Sequence, residues 1–403
     1  MTRFTVAVVT STIRSFGALR GGGRGSILLA VAFGWFLSIS VRTIYPALLP
    51  RIRAAYGLSL TAAGLLLTVL WVAYAAGQLP GGVLTDWIGE RLLLVVSSVL
   101  AAMTLSLVVL ADAPVVLFVA TALFGAGTAL YGTSRFTILQ RVFPDQLGTA
   151  TGATMAAGDV GNAVMPPVAG VIATAVAWQY GLGFAVPLFL LAAVGLWTTL
   201  PGRQTAATPL REQLSPPDLW RTLSQPFVLR RTLLLVLWAV LFQAFVGFYP
   251  TYLMDVATVP SPVATALFGF FFALGIPTKP LAGRAYDRVG VRTPLVVIMG
   301  ATAVSFAAVP FASGLPTFVV LTALAAGVLG FETIVISDLT GRLPDRTRGT
   351  SLGAIRTVYI GLGAVSPLLV GAVADAGHFD AAFFAIAALA GLTGLYAFVA
   401  IDV

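Results

Sequence analysis

Six ionisable side chains stand where a chain this apolar can least hold them. Arg42, Arg135, Asp159, Lys279, Glu332 and Arg356 each lie inside a long hydrophobic run. On insertion scales a charge at such depth costs about 3 kcal/mol, so each must face a cavity or a partner. Lys279 is the only lysine in the chain, and it precedes Asp287 by about 12 Å of helix. Its ammonium either snorkels to the surface or faces a cavity and binds an anion; the second reading is adopted here. Arg42 lies about 12 Å inside its own run, with Trp35 and Tyr45 on the same helical face. An arginine among aromatics suits a carboxylate with an apolar body, because the guanidinium grips two oxygens at once. A bridge from Arg42 to Asp159 is the alternative. Asp159 shares a face with Asn162 and Pro166, and it and Glu332 are the candidates for carrying a coupling ion, although pairing with Arg42 or Lys279 would keep Asp159 ionised. Arg135 and Arg356 lie nearer the opposite ends of their runs. Arg135 is read as a gate ion pair, and Arg356, with Tyr359 one turn on, as either gate or substrate site.

The elements that must position these groups follow from composition. Hydrophobic residues make up 58% of the 403-residue chain and charged ones 9%, against about 25% charged in soluble domains. Such a chain must be solvated by lipid. Apolar runs long enough to cross a bilayer fall near 27–49, 59–83, 92–111, 115–140, 150–174, 180–200, 232–254, 262–285, 293–312, 316–339, 352–374 and 381–401. The fold class is therefore an all-α integral membrane protein with twelve spans. It reads as a basic tail (1–26), a six-span half (27–200), a polar linker with one short interfacial helix (201–231) and a second six-span half (232–403). The short apolar stretch at the start lacks an Ala-x-Ala exit and is not read as a cleaved signal.

With both termini and the linker in the cytoplasm, 17 of the 23 Lys and Arg fall on that side and two, Arg51 and Arg53, on the other. This asymmetry sets the orientation and accounts for the net charge of +8 without nucleic acid. The predicted location is the cell membrane, multi-pass. There is no cysteine, and His378 between Asp375 and Asp380 reads as a solvated outer turn, so no metal and no cofactor is expected. The chain holds no Gly-x4-Gly-Lys-Ser/Thr loop for ATP and no His-Glu-x-x-His run, so an enzyme is not expected either.

The chain also repeats itself. Gly82, Asp86, Gly89 and Arg91 recur 201 residues later as Gly283, Asp287, Gly290 and Arg292, each time closing an apolar run with Gly-xxx-Asp-x-x-Gly-x-Arg. Pro144-Asp145 and Pro344-Asp345 both join a fourth span to a fifth, and Gly152, Pro166 and Gly170 recur as Gly353, Pro367 and Gly371. Two pseudo-symmetric six-helix halves in the same orientation follow. The six buried charges break that symmetry. Asp159 aligns with Ile360, Arg356 with Met155 and Lys279 with Gln78, and none of the six lands on a charge. The scaffold therefore does not require them.

These features resemble the major facilitator superfamily over nearly the whole chain. The Gly-xxx-Asp turn is similar to the family's signature loop between spans 2 and 3, with its echo between spans 8 and 9. The second copy carries Arg288 after the aspartate, as the family prefers, and the first carries Trp87. Span 5 reads Gly152-x8-Gly161-x3-Met165-Pro166-x2-Ala169-Gly170, which resembles the helix-packing pattern of drug and other antiporters. The family's span-4 arginine is absent, with Ala122 in its place. The resemblance implies alternating access, with the repeated turns as a cytoplasmic gate. Asp86 is expected to meet span 11, and Asp287 span 5, only when that side is closed; the alternative is that each aspartate only holds its own loop's shape within one half. Gly82 and Gly283 are expected where helices approach closely. The four buried cations against two acids favour a small anionic substrate, coupled to H⁺ or Na⁺ through Asp159 or Glu332. An H⁺-coupled efflux antiporter for drugs or metabolites is the alternative, and a non-transporting receptor or scaffold the reading from another class. A monomer is expected.

Overall fold

The computed structural model describes residues 24–202, 216–344 and 348–401. Twelve long helices run through it, with no strand among the described residues. The first half contains α1 (Arg24–Tyr56), α2 (Leu60–Ile88), α3 (Glu90–Val109), α4 (Pro114–Val142), α5 (Leu147–Ala175) and α6 (Trp178–Thr199). A short helix, Pro216–Leu223, falls in the predicted linker. The second half contains α7 (Pro226–Asp255), α8 (Ser261–Val289), α9 (Arg292–Phe311) and α10 (Leu315–Arg342). It closes with α11, built of Arg348–Gly363 and Ser366–Asp375, and α12 (Phe379–Ala400). Eleven of these are apolar enough to cross a membrane by composition alone. The exception is α5, which carries five glycines together with Asp159 and Asn162.

The repeat is visible in the backbone. Gly89 and Gly290 adopt φ of +84° and +77°, and each donates its N–H back to the carbonyl four residues earlier, Thr85 and Tyr286. A left-handed residue ends the helix there without a side-chain clash, which explains this glycine of the motif in both copies. Beside it, Arg91 lies 4.2 Å over the Trp197 ring and Arg292 lies 3.9 Å over Phe398, again 201 residues apart. Each stack ties the start of a third helix to the last helix of its own half.

The halves meet unequally at the two faces. At the predicted outer face α2 packs on the second segment of α11, and α5 packs on α8. The repeated glycines Gly170 and Gly371 make this possible. A Cβ on Gly371 would sit 2.2 Å from the Leu60 carbonyl oxygen, and one on Gly170 would sit 2.3 Å from Thr265 Oγ1. Polar contacts cross between halves here. Asp375 accepts from the backbone N–H groups of Leu60 and Thr61, both at 2.7 Å, at the start of α2. Arg53 pairs with Asp255 at 2.8 Å. Asp380 accepts from Tyr252, so both acids flanking His378 have other partners.

At the predicted inner face every ion pair among the described residues stays within one half. Arg141 pairs with Glu90, and Asp338 holds both Arg231 and Arg342. Asp287 is exposed in a recess with Tyr286, Arg292 and Arg342 of its own half and does not meet α5. Arg288 is exposed, and the Asp86 side chain lies outside the described residues. Nothing lies within 4 Å of a Cβ built on Gly82, Gly283 or Gly152. The expected close approach at these three glycines is therefore corrected: with this face splayed, no neighbour reaches them. Gly161 does pack closely, under the Phe36 carbonyl and Ser40, and Pro166 is buried beside it.

Among the described residues the halves thus pack closely at the predicted outer face and share no ion pair at the predicted inner one. A side chain at Gly371 would meet backbone, which no rotamer change relieves, and overpacking of this kind costs about 1–3 kcal/mol. Because the chain has no cysteine, a Gln243→Cys reporter in the central cavity can be read alone. Adding Gly371→Leu should raise its labelling by an impermeant thiol reagent from the predicted outer face about fivefold or more. Unchanged labelling would show that the shut face does not depend on this approach.

Candidate functional site

A cavity of about 150 Å³ lies between the halves. Its walls repeat with the sequence. Arg42 and Gln243, Trp71 and Phe272, Tyr74 and Gly275, Met155 and Arg356, and Asp159 and Ile360 are five pairs at the 201-residue offset, and all ten residues line it. In three of the pairs one member is charged and the other neutral. The duplication built the chamber, and its departures from symmetry supply the charge.

Arg42 is 1% exposed on α1. Its guanidinium carbon stands 3.7 Å from the Tyr74 ring centre and 5.3 Å from that of Trp71. Nη1 donates to Thr128 Oγ1 at 3.3 Å, while the buried Nε has no partner. Two aromatic faces lower the cost of burying this cation yet leave donor capacity unused. The expected alternative, a bridge to Asp159, does not form. Asp159 Oδ1 instead accepts from Lys279 Nζ at 2.5 Å, joining α5 to α8 across the halves. Lys279 therefore does not snorkel away.

On the other wall, Tyr359 donates to Glu332 Oε1 at 2.5 Å. Glu332 follows a 3₁₀ stretch, Ala326–Gly330, that interrupts α10. The indole of Trp238 donates to the Val328 carbonyl there at 3.0 Å and steadies the break. Arg356 lines the cavity one turn before Tyr359, within electrostatic reach of Glu332, Tyr359 and Tyr74. Neither Arg42 nor Arg356 has a carboxylate within 4.0 Å among the described residues. Both acids of the cavity are held by Lys279 and Tyr359, so the two guanidiniums are the groups left to receive an anion.

Of the residues singled out in the sequence, Trp35, Arg42, Asp159, Lys279, Glu332, Arg356 and Tyr359 line this one cavity. Two do not. Tyr45 is fully buried behind the wall, stacked on Phe124 with centroids 6.0 Å apart. It lies three residues from Arg42, and that rotation turns it into the packing between α1 and α4. Arg135 is corrected as well. It is fully buried, its guanidinium carbon lies 3.2 Å from the Trp35 ring centre and 4.3 Å from that of Phe136, and no carboxylate reaches it. Only the Met155 sulfur accepts from it, and its Nε and Nη1 have no partner. It is a cation held on ring faces beneath the cavity, and it forms no gate ion pair here.

The residues missed are mostly aromatic: Trp71 and Tyr74 on α2, and Trp238 and Phe242 on α7. Their spacings, i to i+3 and i to i+4, put each pair on one helix face, but in so apolar a chain the same spacing also marks helix packing. Pairing Trp71 with Phe272 through the repeat was the available signal.

Arg135 and Trp35 can be separated by stability. Trp35→Ala removes the ring from a buried cation and opens a void, and should lower the melting temperature in detergent by several degrees, in line with about 3–5 kcal/mol for such a truncation. Arg135→Met, which fills the space without a charge to bury, should be neutral or raise it. Strong destabilisation by Arg135→Met would show a polar partner that the ring contacts do not account for.

Comparison with known proteins identifies the family and the fold. The family model described as Major Facilitator Superfamily matches residues 31–359 and again 263–403. A probable sulfoacetate transporter of Cupriavidus necator is 25% identical, with 92% of each chain covered. A hexuronate transporter of Bacillus subtilis is also 25% identical, over 85% of this chain and 86% of its own. Among solved structures, a bacterial homologue of the human lysosomal transporter Spinster, in an inward-facing and unoccupied conformation, superposes with a TM-score of 0.80. That match has 15% identity and covers 94% of this chain and 97% of the other. Matched by the family model along nearly its whole length, this chain belongs to the Major Facilitator Superfamily.

Proposed function

We propose that this protein is a secondary transporter that carries a small organic anion across the cell membrane by alternating access. The observation that carries the reading is the pair of guanidiniums, Arg42 from one half and Arg356 from the other, which face one small cavity without a carboxylate partner. In a low-dielectric chamber such groups attract an anion strongly, and the arginine fork holds carboxylate or sulfonate oxygens in pairs. The aromatic walls at Trp35, Trp71, Tyr74 and Trp238 exclude water and accept a short apolar body. The names of the two curated relatives, sulfoacetate and hexuronate transporters, support an organic anion over a cationic drug.

In this reading both termini are cytoplasmic, the halves 27–200 and 232–403 move as units, and the described conformation is open to the cytoplasm. The Asp86 and Asp287 turns close that side when the halves rock together. Their aspartates then meet the starts of α11 and α5, where unpaired N–H groups and the helix dipole favour a carboxylate. The Lys279–Asp159 bridge is the coupling element. It joins the halves beside the substrate, so protonating Asp159 or drawing Lys279 to an incoming anion releases α5 from α8. Glu332, held by Tyr359, is the second coupling candidate. The transporter acts as a monomer.

Proteoliposomes loaded with unlabelled sulfoacetate or glucuronate should take up the labelled counterpart, and Arg42→Gln should cut that exchange by about tenfold or more. Asp159→Asn should abolish accumulation driven by a pH or sodium gradient while retaining exchange. Uptake restricted to organic cations would overturn the proposal.

A further inference from the structure

The organic-anion reading leaves the charge of the substrate open, and the inference drawn here rests on that reading. The uncompensated charge about the cavity is two units. Three cations on the wall, Arg42, Lys279 and Arg356, face two carboxylates, Asp159 and Glu332, and a fourth cation, Arg135, lies buried directly behind Trp35 with no carboxylate partner among the described residues. Lys279 and Asp159 cancel one another at 2.5 Å. Glu332 accepts from a neutral phenol and offsets one further cation. Two positive charges remain about a chamber whose other walls are mostly aromatic and aliphatic, with Thr43, Asn162 and Gln243 as polar groups.

These charges are also divided in space. Arg42 enters from α1 and Arg356 from α11, on opposite halves, with Tyr74 in electrostatic reach of both. Arg42, Arg135 and Arg356 stand close enough to repel one another. A substrate bearing one negative charge would neutralise one arginine and leave the others in mutual repulsion. A substrate bearing two, one at each end, would satisfy both forks and draw the halves together. Size sets the remaining limit. About 150 Å³ is well below the roughly 300–1,000 Å³ of pockets that hold drug-sized ligands.

We infer that the substrate is a short dianion, a dicarboxylate or a sulfocarboxylate, held end to end with one anionic group on Arg42 and the other on Arg356. The two arginines are therefore not equivalent to a single stronger site: each reads one end of the molecule. Because Arg356 stands beside Glu332 and Arg42 beside Tyr74 and Trp71, the ends meet different surroundings, which gives the molecule a preferred direction in the cavity.

The test uses the full chain in proteoliposomes, with malonate and sulfoacetate as dianions and propanoate and glucuronate as monoanions. The wild type should exchange at least one dianion with a kcat/KM about tenfold or more above either monoanion. Arg356→Gln and Arg42→Gln, made separately, should each erase most of that preference, chiefly by losing the dianion. The same order should appear as stabilisation of the detergent-solubilised wild type against heat by malonate or sulfoacetate over propanoate, which keeps the test valid if a variant fails to fold. Equal or better exchange of the monoanions would overturn the dianion inference and leave the organic-anion reading standing. Exchange of neither class, with no thermal shift from either, would overturn both.

Discussion

Close approach of backbones at one face is the constraint on which the rest of this molecule depends. Lipid supplies no hydrophobic force to press helices together, so helices in a bilayer associate where small residues let their backbones touch. Gly371 against the Leu60 backbone is one such place, and Gly170 makes equivalent room for the Thr265 side chain, the two glycines lying on helices related by the sequence repeat. The Asp375 carboxylate at the start of α2 and the Arg53–Asp255 pair add polar contacts at the same face. With the halves fixed there and parted at the other face, a wedge of space is left at mid-membrane. The cavity is a product of that geometry before any of its side chains is considered.

Lipid also explains how the charges are arranged. Four of the six charges singled out within the spans have found one of three solutions. Lys279 and Asp159 neutralise one another, Glu332 takes a phenol, and Arg135 rests on two rings. Arg42 and Arg356 have partial solutions only, through Thr128, ring faces and the field of nearby acids. A structural role would be expected to use the available carboxylates on these arginines. The structure gives the acids to other partners.

Much of this was legible in the sequence, for definite reasons. Span number follows from hydropathy, and the six buried charges are conspicuous because they are so costly in lipid. The repeat then located the functional wall: subtracting 201 pairs Arg356 with Met155 and Asp159 with Ile360, and all four reach the cavity. What was not legible is rotation about a helix axis and the state of the machine. Tyr45 and Arg42 are three residues apart, close enough to share a face by periodicity, yet one faces Phe124 and the other the chamber. Arg135 was read as needing a carboxylate because a sequence cannot show that Trp35 and Phe136 fold over its guanidinium. At Gly82 and Gly283 the sequence points to close contact, whereas no described residue lies within 4 Å of a Cβ built there. The partner of Asp159 was open between two cations, and only the crossing of α5 and α8 selects Lys279.

The matched stacks of Arg91 on Trp197 and Arg292 on Phe398 bear on how such a molecule sits in its solvent. Both rings are about half exposed, at helix ends where hydrocarbon gives way to headgroups. A guanidinium on a half-exposed ring suits that boundary layer, where the ring can meet acyl chains while the charge stays in water. Because the repeat sets the two stacks at equivalent helix ends, each half carries the same interfacial feature, and a bilayer that thickened or thinned would meet both halves alike.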